Sequence, residues 1–217
     1  MYRFVNATWE TGPSQPRLAR GQVDVWRMPC ESVPPASSVD CRQQARAWLE
    51  RLLAAYLETT PDRLRLVREP GGKPRLDMPG RALEFSLSHS TAGALVAVSS
   101  GPPVGIDLET RRRVTDPLRI ARRVFPADAL ALLERCSAAA RLDLFLDHWT
   151  RMEARQKALG RGIFEPQVDA ASLQCFGFVP GAAQYATLAV ATGDVVAALH
   201  FYDEPAPGRT RAADRAH

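Results

Sequence analysis

Ala45, Trp48, Leu49, Leu52, Leu53 and Tyr56 recur at steps of three and four residues, so residues 39–58 can bury one continuous face only as a helix. Ser37, Ser38 and Asp40 stand where its N-terminal caps are expected, and Thr60-Pro61-Asp62 ends the pattern. Short strands are expected at 64–67, 83–88 and 93–99, with the loop Glu69-Pro70-Gly71-Gly72-Lys73-Pro74 between the first two. Gly101-Pro102-Pro103 is a connector, after which a strand is expected at 104–109 and helices at 117–124, 127–135 and 142–159. Gly160 stops the last helix, and strands follow at 173–178, 185–191 and 195–202. Helix then strands, followed by strand, helices and strands, predicts an α+β fold of two similar, pseudo-duplicated halves. The halves are residues 1–101 and 102–204, each a small antiparallel sheet packed against helices, with 205–217 a disordered tail.

At 217 residues and 46% hydrophobic the chain can bury a substantial core. Residues 1–14 hold no apolar run, so no export signal is expected. The most apolar late stretch, 182–201, is interrupted by Gln184, Tyr185, Thr187, Thr192, Gly193 and Asp194, so no membrane span is expected. Cys30, Cys41, Cys136 and Cys175 are scattered without metal or redox spacing, which fits free thiols in a reducing cytoplasm. A net charge of +4 favours anionic partners without choosing among nucleic acid, phosphate ligands and acidic proteins. No basic–aromatic interleaving of the nucleic-acid-binding kind is present. Of 28 basic residues only Lys73 and Lys157 are lysines. Either two codons survived by chance, or a compact, flexible charge is needed where a planar guanidinium is not suited.

Three segments carry candidate chemistry. In Val104-Gly105-Ile106-Asp107-Leu108-Glu109 the strand period projects Asp107 and Glu109 from one face. Two adjacent carboxylates are either solvated acids on an exposed strand or hard oxygen ligands for Mg²⁺ shared with phosphate. On the 142–159 helix, Glu153 and Lys157 lie one turn apart, which is either an ordinary helix ion pair or part of a site. Phe85-Ser86-Leu87-Ser88-His89-Ser90 offers alternating hydroxyls and a histidine at a strand end, either donors to a phosphate or a structural hydrogen-bonding row. The Gly72-Lys73-Pro74 turn lacks the glycine spacing and the hydroxyl residue of a nucleotide-binding P-loop.

Taken in order, Gly72-Lys73-Pro74, Phe85-Ser-Leu-Ser-His-Ser90, Gly105-Ile-Asp-Leu-Glu109 and Trp149-x-x-x-Glu153-Ala154-x-x-Lys157-x-x-Gly160 resemble the motifs of large, surfactin-type 4′-phosphopantetheinyl transferases. The resemblance implies a monomer that moves the phosphopantetheine arm of coenzyme A to a serine of an apo acyl or peptidyl carrier protein. It implies Asp107, Glu109 and Glu153 as ligands of Mg²⁺, Lys157 on the phosphates, and Glu153 as an aid in deprotonating the serine. It implies that Lys73, Ser88 and His89 hold coenzyme A, with His89 near the 3′-phosphate and Arg46 as a further basic position. Fatty-acid, polyketide and peptide synthesis carriers all fit, and no nucleic acid or membrane is implied as a partner.

The sequence departs from the family pattern twice. Met152 stands where lysine is usual, and Ala129, with Asp128 one position early, where an acid is common. Both changes are expected to tune rate or carrier choice. They also support the alternative of a catalytically weak or inactive member that binds coenzyme A or carrier. A different Mg²⁺-dependent phosphoryl-transfer enzyme or nuclease would leave the Ser-His turn and the two lysines unexplained. Arg111, Arg112 and Arg113, with Arg119, Arg122 and Arg123, offer a basic surface for an acidic carrier, or are ordinary solvated residues.

Overall fold

A computed structural model of the chain describes residues 1–29, 38–68, 71–78, 83–90, 93–162, 165 and 172–204 (side chains of the first helix from residue 42). In order these form β1 (Tyr2–Phe4), β2 (Trp9–Thr11), β3 (Gln22–Pro29), α1 (Ser38–Tyr56), a 3₁₀ turn (Pro61–Arg63), β4 (Leu66–Arg68) and β5 (Pro74–Leu76). Then come β6 (Glu84–Ser90), β7 (Gly93–Ser99), β8 (Val104–Thr110), α2 (Pro117–Val124), α3 (Ala127–Arg135) and α4 (Ala138–Ala158). The last strands are β9 (Leu173–Phe178), β10 (Gln184–Ala191) and β11 (Ala198–Asp203). The side chains expected to cap α1, those of Ser37, Ser38 and Asp40, and the tail 205–217 lie outside the described residues.

The protein is α+β. A five-stranded sheet has the order β2-β11-β3-β7-β6 and a four-stranded sheet the order β1-β9-β10-β8, with β4 and β5 as a separate pair. Val23, Val25, Leu95 and Ala97 of the first sheet share one core with Val104, Ile106, Phe176, Phe178 and Leu188 of the second. On the outer face of the first sheet, Trp48, Leu49 and Leu53 of α1 pack on Trp26, Phe85 and Val96. On the outer face of the second, Ala154 and Ala158 of α4 pack on Leu173, Cys175 and Ala189. The layers therefore run helix, sheet, sheet, helix. Among the described residues no helix is long and apolar enough to cross a membrane.

Both sheets are antiparallel through β3-β7-β6 and β9-β10-β8 and parallel where the chain ends join. β1 runs parallel to β9, and β11 runs parallel to both β2 and β3. An N-terminal strand thus completes the second sheet and a C-terminal strand completes the first. Tyr2 anchors one exchange, donating to Asp147 on α4 at 2.8 Å beneath the guanidinium of Arg151. Arg27 anchors the other through a fork onto both carboxylate oxygens of Asp203, at 2.8 and 3.0 Å.

α4 begins four residues earlier than the apolar stripe predicts, because Ser137 caps it by accepting from Ala140 N. β11 begins three residues later than expected, at Ala198. β1, β2 and β3 are not signalled by the sequence pattern. In β3 both faces are covered, and the face toward α1 carries Asp24, which is 1% exposed. Asp24 is buried because it is partnered: Gln22 Nε2 donates to it at 2.6 Å and the Tyr56 hydroxyl at 2.5 Å. The same hydroxyl accepts from Trp26 Nε1 at 2.7 Å.

Burial raises the Asp24 carboxyl above its ordinary value, with Gln22 and Tyr56 opposing. An acid whose folded value is raised loses stability as pH climbs from its unfolded value, about 4, through the folded one. Removing the Tyr56 hydroxyl raises that value further and leaves Trp26 N–H without its acceptor. Tyr56→Phe is therefore expected to lower the unfolding free energy by about 1–3 kcal/mol near pH 7. The deficit should shrink toward pH 4, as read from urea unfolding across that range.

Candidate active site

The site is built where β8, β6 and the last turns of α4 meet. Within β8, Asp107 and Glu109 face α4 while Ile106 and Leu108 lie in the inter-sheet core. Gly105 allows the close approach of the helix, since a Cβ there would overlap the carbonyl of Ala154 and the amide of Ala158. α4 then delivers Glu153 and Lys157 onto Asp107. Lys157 Nζ stands 2.6 Å from Asp107 Oδ1 and 3.6 Å from Glu153 Oε2.

β8 pairs with β10 on one edge. Its other edge is met by side chains. Ser86 Oγ accepts from Ile106 N and Ser88 Oγ from Leu108 N, both at 3.1 Å. Ser90 Oγ lies 2.9 Å from Thr110 Oγ1. Lys73 Nζ donates to Val104 O at 2.9 Å and Lys157 Nζ to Ile106 O at 3.2 Å. The alternating serines and both lysines of the chain therefore stand in for a missing strand partner. Ser88 also donates to Asp107 Oδ1 at 3.0 Å.

A cavity of about 350 Å³ opens beside this junction. Lys157, Glu153 and Gln156 of α4 form one wall, and Arg42, Arg46 and Leu49 of α1 another. Arg68, Lys73 and Pro74 line it from the β4–β5 region, and Ser86, Leu87 and His89 from β6. Arg161, just past α4, completes the basic surround, with Glu153 the one carboxylate among the described lining residues. Of the residues singled out in the sequence, Arg46, Lys73, His89, Glu153 and Lys157 line the cavity. Asp107, Glu109 and Ser88 sit behind it and do not. Arg46 is exposed and pairs with Glu50 at 3.0 Å. Arg42, Arg68 and Arg161 join the site unannounced. Nothing in their local pattern on α1, on β4 or just past α4 sets them apart from surface arginines, and only the folded chain brings them to one cavity.

Charge is unevenly compensated here. Burial first, then the Asp107 carboxylate, pushes Glu153 well above the usual carboxylate range, with Lys157 opposing. Burial and Asp107 likewise raise Glu109, which Arg112 offsets from 3.6 Å away. Burial pulls Lys157 down, but Asp107 and Glu153 more than offset it and the net shift is upward. Burial, then Arg42 and Lys157, holds His89 below its ordinary value. Asp107 Oδ2 is buried with no hydrogen-bond partner.

That orphaned oxygen and the all-carboxylate donor set fit a hard divalent cation. Among the described residues, however, no three His, Cys, Asp or Glu side chains converge into a ready-made metal site. Met152 is 4% exposed and Ala129 is 3% exposed, so both departures from the motif pattern are packed positions. In the basic loop, Arg111 pairs with Asp143 at 2.7 Å, and on α2 Arg122 pairs with Glu134 at 3.0 Å.

The family model of the 4′-phosphopantetheinyl transferase superfamily matches residues 103–211. The chain belongs to this superfamily. The 4′-phosphopantetheinyl transferase HetI of Nostoc sp. is 30% identical over 180 residues, covering 72% of this chain and 76% of that protein. The slr0495 protein of Synechocystis sp. is 34% identical over 119 residues, 54% of this chain and 48% of its own length. The L-aminoadipate-semialdehyde dehydrogenase-phosphopantetheinyl transferase of Mus musculus is 29% identical over 133 residues, 56% of this chain and 43% of its own. The chain thus spans about half the length of the Synechocystis and mouse relatives. Within the superfamily match lie β8 and α4, which carry all three acids and Lys157.

Two substitutions test the junction itself. Ser86→Ala leaves the buried Ile106 N–H unpaired and is expected to cost about 1–3 kcal/mol in urea unfolding. Gly105→Ala is expected to cost more, because backbone of α4 has to move.

Proposed function

We propose that the chain transfers the 4′-phosphopantetheine group of coenzyme A to a serine of an apo acyl or peptidyl carrier protein, releasing 3′,5′-ADP. The observation that carries this reading is the basic cavity ending at Glu153 and Lys157, directly against Asp107. Arg42, Arg46, Arg68, Lys73 and Arg161 suit a ligand with several phosphates, and Leu49, Leu66 and Leu87 offer an apolar wall for a base.

Asp107, Glu109 and Glu153 would hold Mg²⁺, which supplies charge neutralisation on the pyrophosphate when bound. The residues do the rest. Arginines and Lys73 orient the phosphates, and Lys157 adds a mobile positive charge at the same point. Glu153, a carboxyl already raised by its surroundings, takes the proton from the carrier serine. The serine Oγ–P bond forms as the P–O bond of the pyrophosphate breaks, and 3′,5′-ADP departs with the electron pair. The nucleophile belongs to the carrier, so this chain needs none of its own.

The carrier would approach over the exposed basic segment of Arg111, Arg112 and Arg113, beside Glu109. A cytoplasmic monomer with free thiols at Cys136 and Cys175 completes the reading. The alternative of an inactive binder draws on Met152, but a buried methionine is accounted for by packing.

Intact mass of apo-carriers incubated with coenzyme A, with Mg²⁺ or in excess chelator, tests the proposal. A phosphopantetheine mass gain that needs the ion is expected; no gain on any of a broad carrier panel would refute it. Asp107→Ala and Glu153→Ala should each cut turnover by at least about a hundredfold, as loss of one electrostatic stabiliser commonly does. Met152→Lys should change the turnover of folded protein far less. It should lower thermal stability, because it buries an ammonium among packed residues.

A further inference from the structure

Lys157 has no donor to spare. Its ammonium has three protons, and Asp107 Oδ1 at 2.6 Å, Ile106 O at 3.2 Å and Ser88 Oγ at 3.4 Å accept them. Glu153 Oε2 stands close by at 3.6 Å. A phosphate in the cavity therefore finds Lys157 beside it but already committed to β8 and β6. The carboxylate it holds is engaged on one side only, since Asp107 Oδ2 is buried without a hydrogen-bond partner. A divalent cation drawn to that oxygen meets the ammonium as a like charge at close range, in surroundings that screen poorly.

We propose that Lys157 is a displaceable internal cation, which neutralises Asp107, with Glu153 beside it, in the ligand-free chain and swings to the phosphates when coenzyme A and a divalent ion enter. The proposal rests on the reading that the basic cavity takes a pyrophosphate. Charge is accounted for in the exchange: the carboxylates trade an ammonium for a divalent ion, whose second positive charge is met by the phosphates that enter with it, and the ammonium trades carboxylate for phosphate. Lys157 can make that move because it lies in the last turn of α4, lines the cavity, and has a four-carbon stem flexible enough to re-aim its ammonium once those partners are exchanged. An arginine fork, locked to its carboxylate, would be a poorer shuttle. This gives a reason for a lysine at this place in a chain with 26 arginines among its 28 basic residues.

Two consequences follow. A divalent ion alone must compete with Lys157 for Asp107, and coenzyme A alone must pull Lys157 off a carboxylate. Each ligand removes the other's competitor, so their binding is positively coupled beyond simple bridging.

Mn²⁺ binding without coenzyme A, followed by electron paramagnetic resonance and calorimetry, separates this from bridging alone. Lys157→Met is expected to bind Mn²⁺ at least about tenfold more tightly than wild type, and the enhancement by coenzyme A should fall by a similar factor. Equal or weaker Mn²⁺ binding by Lys157→Met overturns the proposal. Because that variant leaves a buried carboxylate without its cation and is at risk of unfolding, a second measurement uses the wild-type chain. With two lysines in the sequence, ε-¹³C-lysine labelling gives two signals, assigned with Lys73→Arg. The Lys157 signal should shift when Mg²⁺ and coenzyme A are added together; a signal that stays put overturns the proposal. Coupling without transfer to any carrier would keep the internal cation and remove the transferase reading. Failure of coenzyme A to bind at any metal concentration removes both.

Discussion

The outer edge of β8 depends on side chains where a sheet would ordinarily supply a strand. Its backbone amides and carbonyls need partners because the edge is buried where the two sheets meet. Ser86 and Ser88 accept, and Lys73 and Lys157 donate. These four contacts tie β6, Lys73 and α4 to β8 and also fix how far Asp107 stands from α4. The acids of the site are thus placed by the same groups that close the fold.

That arrangement brings a buried carboxylate close to a second one, which is unfavourable unless positive charge is near. The ammonium of Lys157 provides it, and its reach explains why α4 must lie directly on the strand at Gly105. Burial keeps Glu153 prone to hold a proton, while Glu109 leans on Arg112 at the outer side. The cluster is therefore balanced for a ligand-free chain and electrostatically prepared for exchange when anions and cations arrive together.

Much of this is legible in the sequence. The α1 stripe at Ala45, Trp48, Leu49, Leu52 and Leu53 is buried as the three- and four-residue steps require. The strand period places Asp107 and Glu109 on one face, and the helix period places Glu153 with Lys157. What is not legible has physical causes. β1 and β2 are three residues each and gain order only by pairing with distant strands. β3 hides because Asp24 breaks its apolar pattern, and only the folded chain brings Tyr56 to it. The alternation of Ser86, Ser88 and Ser90 fits phosphate donors and a hydrogen-bonding row equally well. Whether hydroxyls meet a ligand or a backbone depends on which strand lies opposite, and periodicity carries no information about that.

The central claim is that side chains, standing in for a strand, hold the edge from which the acids project. Residue-resolved amide hydrogen exchange at Ile106 and Leu108 tests it most directly. Protection comparable to the amides of β10, the paired neighbour, is the predicted result. Exchange at the rate of an unpaired sheet edge would contradict the account.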